Sequence, residues 1–168
     1  GIGCSGNMTS FIKCYGIHSL HGRAIPNAIG AKLANHKFPV LVVGGDGDLL
    51  GEGLSHFIHA ARANHDITVI LHNNQIYGLT TGQASPTSMP GLDTKTTPHG
   101  VIERPLDPSA LAILNDAVFV ARGFAGDMPH LTSLMVEAIK HPGFSLVEVL
   151  QPCVTFNHLN TYDWFRKR

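Results

Sequence analysis

A glycine-flanked carboxylate, Asp46 in Gly45-Asp46-Gly47-Asp48, is followed 28 positions later (46 to 74) by the second residue of an amide pair, Asn73-Asn74. Both side chains are hard oxygen donors. A small hard cation such as Mg²⁺ takes one or two such oxygens from a protein and completes its octahedron with phosphate and water. Glycines around Asp46 let the backbone turn sharply and approach a ligand closely. A helix beginning after Asp48 would aim its free N–H groups and the positive end of its dipole at the same place, which favours an anion. One oxygen from each of two chain segments, with a helix N-terminus between them, describes a Mg²⁺–diphosphate site. Gly-Asp-Gly alone is an ordinary turn sequence; the asparagine pair at this spacing makes it specific.

Those residues need a scaffold that brings them together, and the pattern around them supplies one. An apolar run, Val40 to Val43, stops at Gly44-Gly45-Asp46, and a second, Ile67 to Leu71, stops before Asn73-Asn74. Between them Leu54, Phe57, Ile58 and Ala61 recur at the spacing of one buried helix face. Strand, helix, strand is the crossover unit of a parallel sheet, and ligands bind beyond the carboxyl ends of such strands. Upstream, Ile25 to Asn35 reads as a helix with Pro26 in its first turn and Ile25, Ala28, Ile29 and Leu33 on one face. Downstream come a helix over Ser109–Asn115, a short buried strand over Ala117–Ala121, an amphipathic helix over Asp127–Lys140, and a strand over Phe144–Leu150. Leu131, Leu134, Met135 and Ala138 form the inward face of the second of these helices. The expected fold class is α/β, one domain spanning 1–168, with a parallel sheet and helices on both faces. Residues 75–108, rich in Gly, Pro, Thr and Ser, are too long for a plain connection and read as a loop wrapping the site.

Three stretches together carry a family resemblance: Gly45-Asp46-Gly47 with Asn73-Asn74, the run Asn74-Gln75-Ile76-Tyr77-Gly78-Leu79-Thr80-Thr81-Gly82-Gln83-Ala84-Ser85-Pro86-Thr87, and His18-Ser19-Leu20-His21-Gly22-Arg23. The first resembles the thiamine-diphosphate motif, and together they resemble the β subunit of 2-oxoacid:ferredoxin oxidoreductases over nearly the whole chain. The resemblance implies a thiamine-diphosphate-binding fold in which Asp46, Asn74 and the Ile76 carbonyl hold Mg²⁺. It places Gly45, Gly47, Asp48, Gly78, Leu79 and Thr80 around the cofactor, with His21 a further contact. It also implies a [4Fe–4S] cluster, with Cys4, in the turn Ile2-Gly3-Cys4-Ser5, and Cys153 as two of its four thiolate ligands. The other two would precede residue 1, so the chain is expected to be truncated, at both ends. The implied activity is oxidative decarboxylation of a 2-oxoacid to an acyl-coenzyme A, with electrons passed to ferredoxin. An α subunit would supply the glutamate that activates the cofactor's aminopyrimidine, in an αβ or (αβ)₂ complex. The chain would be inactive alone, and no catalytic side chain of its own is named.

Composition bounds these readings. Twelve basic and twelve acidic residues cancel, so no polyanion-binding surface and no nucleic-acid partner are implied. Charged residues make up 14%, against roughly 25% in soluble domains, which suggests surface covered by partner subunits. No apolar run reaches the roughly 18 residues of a membrane span, and with no signal peptide the expected location is cytoplasmic. Three cysteines give no disulfide framework; Cys14, in a helical-looking stretch, reads as a buried structural thiol. His18 and His21 have no further ligand at zinc-like spacing. Two alternatives stay open. A non-redox thiamine-diphosphate decarboxylase or synthase would not need Cys4 and Cys153. A non-catalytic phosphate-binding Rossmann-like module is the second, although no Gly-x-Gly-x-x-Gly follows the first strand.

Overall fold

A computed structural model describes residues 1–167. Its centre is a four-stranded, wholly parallel sheet of β1 (Leu41–Gly45), β2 (Thr68–Asn73), β3 (Phe119–Phe124) and β4 (Ser145–Leu150), in the order β1-β2-β4-β3. Gly45 pairs with His72, and Asn73 with Leu150, which pairs in turn with Phe124. The carboxyl ends of all four strands therefore lie along one edge, and Asp46 emerges level with Asn73.

Helices cover both faces, as expected. On one face α1 (Ala24–Ala34), α2 (Leu54–Arg62) and α3 (Pro108–Leu114) bury Ile25, Phe57, Ala61 and Ala112 against Val42, Val69, Leu71 and Leu146. Phe57 and Phe144 meet edge to face at 5.8 Å between ring centres; each is fully buried, a contribution of roughly 1.5–3 kcal/mol per ring. On the other face α4 (Met128–Lys140) packs Leu131 and Ala138 onto Ile70, Val147 and Val149, with Leu134 and Met135 beside them. A short α5 (Tyr162–Arg166) follows. Among the described residues no helix is long and apolar enough to cross a membrane.

Four sequence expectations need correction. The helix after Asp48 is split: Gly47–Glu52 forms a π-type turn and α2 starts only at Leu54, capped by Gly53. Such wide turns concentrate at functional sites. The strand expected over Ala117–Ala121 lies two to three residues later. It is half-buried, because it is an edge strand with a partner on one side only. Leu33 is exposed, so the buried stripe of α1 ends one turn early. Cys14 is neither helical nor buried: it sits in an exposed bend after a 3₁₀ turn over Cys4–Ser10.

Candidate functional site

The β1–β2 edge gathers the residues singled out by type and spacing. Asp46 is 2% exposed, and its Oδ2 accepts a 2.7 Å hydrogen bond from the Thr87 hydroxyl. Burial pushes its carboxyl above the usual carboxylate range, against the opposing pull of Ser85, Thr87 and backbone N–H groups including that of Asn74. Asp46 and Asn74 are thus neighbours across the strand tips. Asn74 is also buried; its Oδ1 accepts from the Ile76 N–H at 3.1 Å, which fixes the direction of its amide. Its carbonyl is held by Asn157 Nδ2 at 3.2 Å.

Asp46 makes no ion pair among the described residues. A buried carboxylate without a cation, beside an oriented amide and a tight backbone turn, fits a hard divalent ion. Among the described residues no group of three or more His, Cys, Asp or Glu side chains is placed to hold a metal. A cation here would be held by mixed carboxylate, amide and carbonyl oxygens.

Asp48 is equally buried, but Oδ1 is already engaged by the backbone N–H groups of Gly22 (2.7 Å) and Ile2 (3.3 Å). It ties the first residues and the Gly22 turn to the sheet, while its Oδ2 has no partner and remains an orphaned buried oxygen. His21 Nδ1 lies 2.9 Å from Asp48 Oδ1, an ion-pair distance that lacks hydrogen-bond alignment. The His21 ring stands 6.2 Å from that of Tyr77. Tyr77 in turn donates to the Gly47 carbonyl at 3.2 Å. A Cβ on Gly47 would sit 2.2 Å from that ring, so only glycine allows the contact.

The two candidate thiols converge although 149 positions separate them (4 to 153). A Cβ built on Gly78 would lie 3.1 Å from Cys4 Sγ and 3.4 Å from Cys153 Sγ. Glycine at this point leaves the space over the turn to the sulfurs. Burial, and then the neighbouring Cys153, push the Cys4 thiol up. Ser5, next to Cys4, shares a 2.9 Å hydrogen bond with His72 Nδ1. Burial holds His72 below its ordinary value, so the neutral ring is favoured. Leu79 and Thr80 are exposed on the same turn, open to a ligand rather than packed.

Residues 75–107 do fold back over the strand tips. Tyr77 bridges to Gln83, Leu106 N–H reaches the Pro86 carbonyl at 2.8 Å, and Thr87 lands between Asp46 and Asn73. Three participants carried no sequence signal, His72, Asn157 and Glu148, and Thr87 entered only as the end of a family-like run, with no role of its own. Each acts through a partner distant in the chain, which local pattern does not reveal.

Comparison with known proteins follows the same lines. The family model "Thiamine pyrophosphate enzyme, C-terminal TPP binding domain" matches residues 1–149. The chain is 52% identical, over 100% of its length, to a 2-oxoacid:ferredoxin oxidoreductase subunit beta of Saccharolobus solfataricus, of which it covers 56%. It is 47% identical, over 99% of its length, to the 2-oxoglutarate oxidoreductase subunit KorB of Mycobacterium tuberculosis, of which it covers 44%. Among solved structures, a 2-oxoglutarate:ferredoxin oxidoreductase from Magnetococcus marinus, with 2-oxoglutarate, coenzyme A and succinyl-CoA bound, superimposes with a TM-score of 0.96. That match has 42% identity and covers 99% of this chain and 57% of the other. A thiamine diphosphate-dependent 4-hydroxybenzoylformate decarboxylase of Rhodococcus jostii gives 0.55 at 25% identity, covering 81% of this chain and 23% of the other. The chain spans about half the length of the curated relatives it matches.

Proposed function

The chain belongs to the family of C-terminal, thiamine-pyrophosphate-binding domains of thiamine pyrophosphate enzymes, and from that premise we propose that it is the cofactor-binding core of a 2-oxoacid:ferredoxin oxidoreductase β subunit. One observation carries the reading: a buried Asp46, paired with no cationic side chain among the described residues and set beside Asn74, shares a sheet edge with two thiols that meet over Gly78. Relatives at 47–52% identity that bear that activity in their names support it.

Asp46, Asn74 and the Ile76 carbonyl would hold Mg²⁺. Gly45, Gly47, Asp48, Gly78, Leu79 and Thr80, with His21, would surround the diphosphate and its ring. Thiamine diphosphate, when bound, supplies the nucleophilic carbon and electron sink that decarboxylation of a 2-oxoacid needs. The chain's own part is to place and shield. Tyr77 holds the Gly47 turn closed, the Thr87 loop covers the Asp46 carboxylate, and the Asn74 amide is aimed by the Ile76 N–H. Cys4 and Cys153 would give two of the four thiolates of a [4Fe–4S] cluster, the others coming from elsewhere in the full-length protein. The substrates would be a 2-oxoacid and coenzyme A, the electron acceptor ferredoxin, and the partner an α subunit in an αβ or (αβ)₂ complex. The thiol pair favours this redox reading over a decarboxylase, which has no use for it.

The test is activity of the full-length two-subunit complex on a panel of 2-oxoacids with coenzyme A and a one-electron acceptor. Oxoacid-dependent acceptor reduction that requires Mg²⁺ and thiamine diphosphate is expected, together with visible iron–sulfur absorbance. An iron-free complex with full activity, or one that binds no thiamine diphosphate, overturns the proposal.

A further inference from the structure

Behind the Asp46 edge lies a buried acid that the proposed site does not use. Glu148 is 1% exposed in the middle of β4, and both of its oxygens are committed. Oε2 accepts from Arg122 Nε at 2.8 Å and from the Ser109 hydroxyl at 2.6 Å. Oε1 accepts from Asn73 Nδ2 at 2.8 Å. An amide has one donor end and one acceptor end, so this contact decides which way Asn73 faces. Its Oδ1 is turned to the Thr87 hydroxyl, 2.8 Å away, and that hydroxyl stands 2.7 Å from Asp46 Oδ2. Thr87 has a single proton to offer two acceptors.

We propose that Glu148 is a positioning residue for the Asp46–Asn74 cation site, acting through Asn73 and Thr87; this rests on the Mg²⁺–thiamine diphosphate reading above. By holding the Asn73 amide with its oxygen inward, Glu148 makes Asn73 compete for the one Thr87 proton. Asp46 is thereby left oxygen-rich and open to a cation. Were the amide reversed, Nδ2 would donate to Thr87 and commit the Thr87 proton wholly to Asp46, at the expense of the metal. Glu148 also shares the Arg122 guanidinium with Asp107.

Glu148→Gln tests this with the same shape. Arg122 and Ser109 present donors, so the new amide must turn its oxygen to them and its NH₂ to Asn73. That forces Asn73 to reverse. In the full-length complex, Mg²⁺ affinity measured by calorimetry in the presence of thiamine diphosphate should fall 10–100-fold, the usual cost of disturbing a group behind a metal ligand. The double variant E148Q/N73D restores an inward-facing acceptor and the lost negative charge, and should recover affinity to within about threefold of wild type by the same argument. A merely structural role for Glu148 predicts no such rescue. Wild-type affinity in E148Q overturns the inference alone, as does failure of the double variant to recover. Should E148Q not fold, the double variant decides: folding with near wild-type Mg²⁺ affinity supports the inference, and anything else overturns it. A wild-type complex that binds no Mg²⁺–thiamine diphosphate overturns the functional proposal and this inference with it.

Discussion

Keeping a carboxylate out of water without a counter-charge costs several kcal/mol even after the surroundings relax, and Asp46 is held that way at 2% exposure. The charge is therefore a stability burden that the fold carries. Asp46→Asn removes it while leaving an oxygen for the Thr87 hydroxyl. The expected outcome is a variant that loses Mg²⁺-dependent thiamine diphosphate binding but is more stable without ligand, by about 1 kcal/mol or more, roughly 2–4 °C for a domain of this size. Melting of both proteins in chelator, followed by titration with Mg²⁺ and thiamine diphosphate, checks it; a D46N variant that melts lower than wild type would show that the carboxylate is not a burden. Asp46 and Asn74 stood out in the sequence because a glycine-flanked carboxylate and an asparagine pair ended two successive apolar runs, a combination that neither turn sequence has alone. Asn73 and Thr87 were legible only as members of the asparagine pair and of the family-like run, without their roles, and Glu148 not at all. The Asn73–Glu148 bond joins residues 75 apart, and a lone acid in Phe144–Leu150 looks the same from sequence whether it faces solvent or the interior.

At the scale of elements, the two helices on opposite faces begin with the same device and differ in what else it does. Asp127 caps α4 by accepting from the His130 N–H at 3.2 Å, with no ion pair to Asp127 among the described residues. Asp107 caps α3 through the Ala110 N–H at 3.0 Å and also pairs with Arg122 at 2.9 Å, the same guanidinium that grips Glu148. Loss of a cap costs about 1 kcal/mol, and an exposed pair adds at most about 1 kcal/mol more. Asp107→Ala should therefore lower stability more than Asp127→Ala in urea unfolding, and only the Asp107 change should also weaken Mg²⁺ affinity, because it loosens Arg122. Equal costs for the two caps would separate α3 from the network. Both helices follow from the sequence pattern, with proline at the first position of α3 (Pro108) and the second of α4 (Pro129), whereas the capping role of the two aspartates emerges only in the structure. The elements that escaped it have physical reasons. The π-type turn over Gly47–Glu52 is set by the Tyr77 ring lying against Gly47, a contact between segments 30 residues apart. The strand over Phe119–Phe124 is an edge, half-buried, so the apolar run that marks a central strand is blurred there. Cys14 misled because free cysteines are usually buried, whereas this one lies in a segment where Phe11, Tyr15 and Ile17 are exposed as well.

Taken whole, the molecule has two poles. The carboxyl ends of the parallel strands gather a buried Asp46 that pairs with no cationic side chain among the described residues, a buried Asp48 with an orphaned oxygen, and two more open thiols that approach over a glycine. The amino ends hold a charged cluster whose bonding is met, although the Ser145 hydroxyl beside it has no partner. There Lys32 bridges Asp66 at 2.7 Å, Asp66 accepts from the Gly143 N–H at 3.1 Å, and Asn64 accepts from the Phe144 N–H at 2.8 Å, joining α1 to the starts of β2 and β4. The Lys32 hydrogen bond holds the Asp66 carboxyl below its ordinary value. A carboxyl depressed on folding contributes stability that is present above its unfolded pKa, about 3.9, and is lost as pH falls through the lower folded value. Asp66→Asn should therefore be less stable than wild type at neutral pH, by less than about 1 kcal/mol for so exposed a pair. The gap should close as the pH is taken below about 4. Its affinity for Mg²⁺ and thiamine diphosphate should be unchanged, since the substitution lies at the opposite end of the sheet from Asp46. Melting curves across pH, with cofactor titrations at neutral pH, read both halves. A stability gap that persists in acid would assign the loss to packing rather than charge, and a change in cofactor affinity would mean that the two ends of the sheet are coupled.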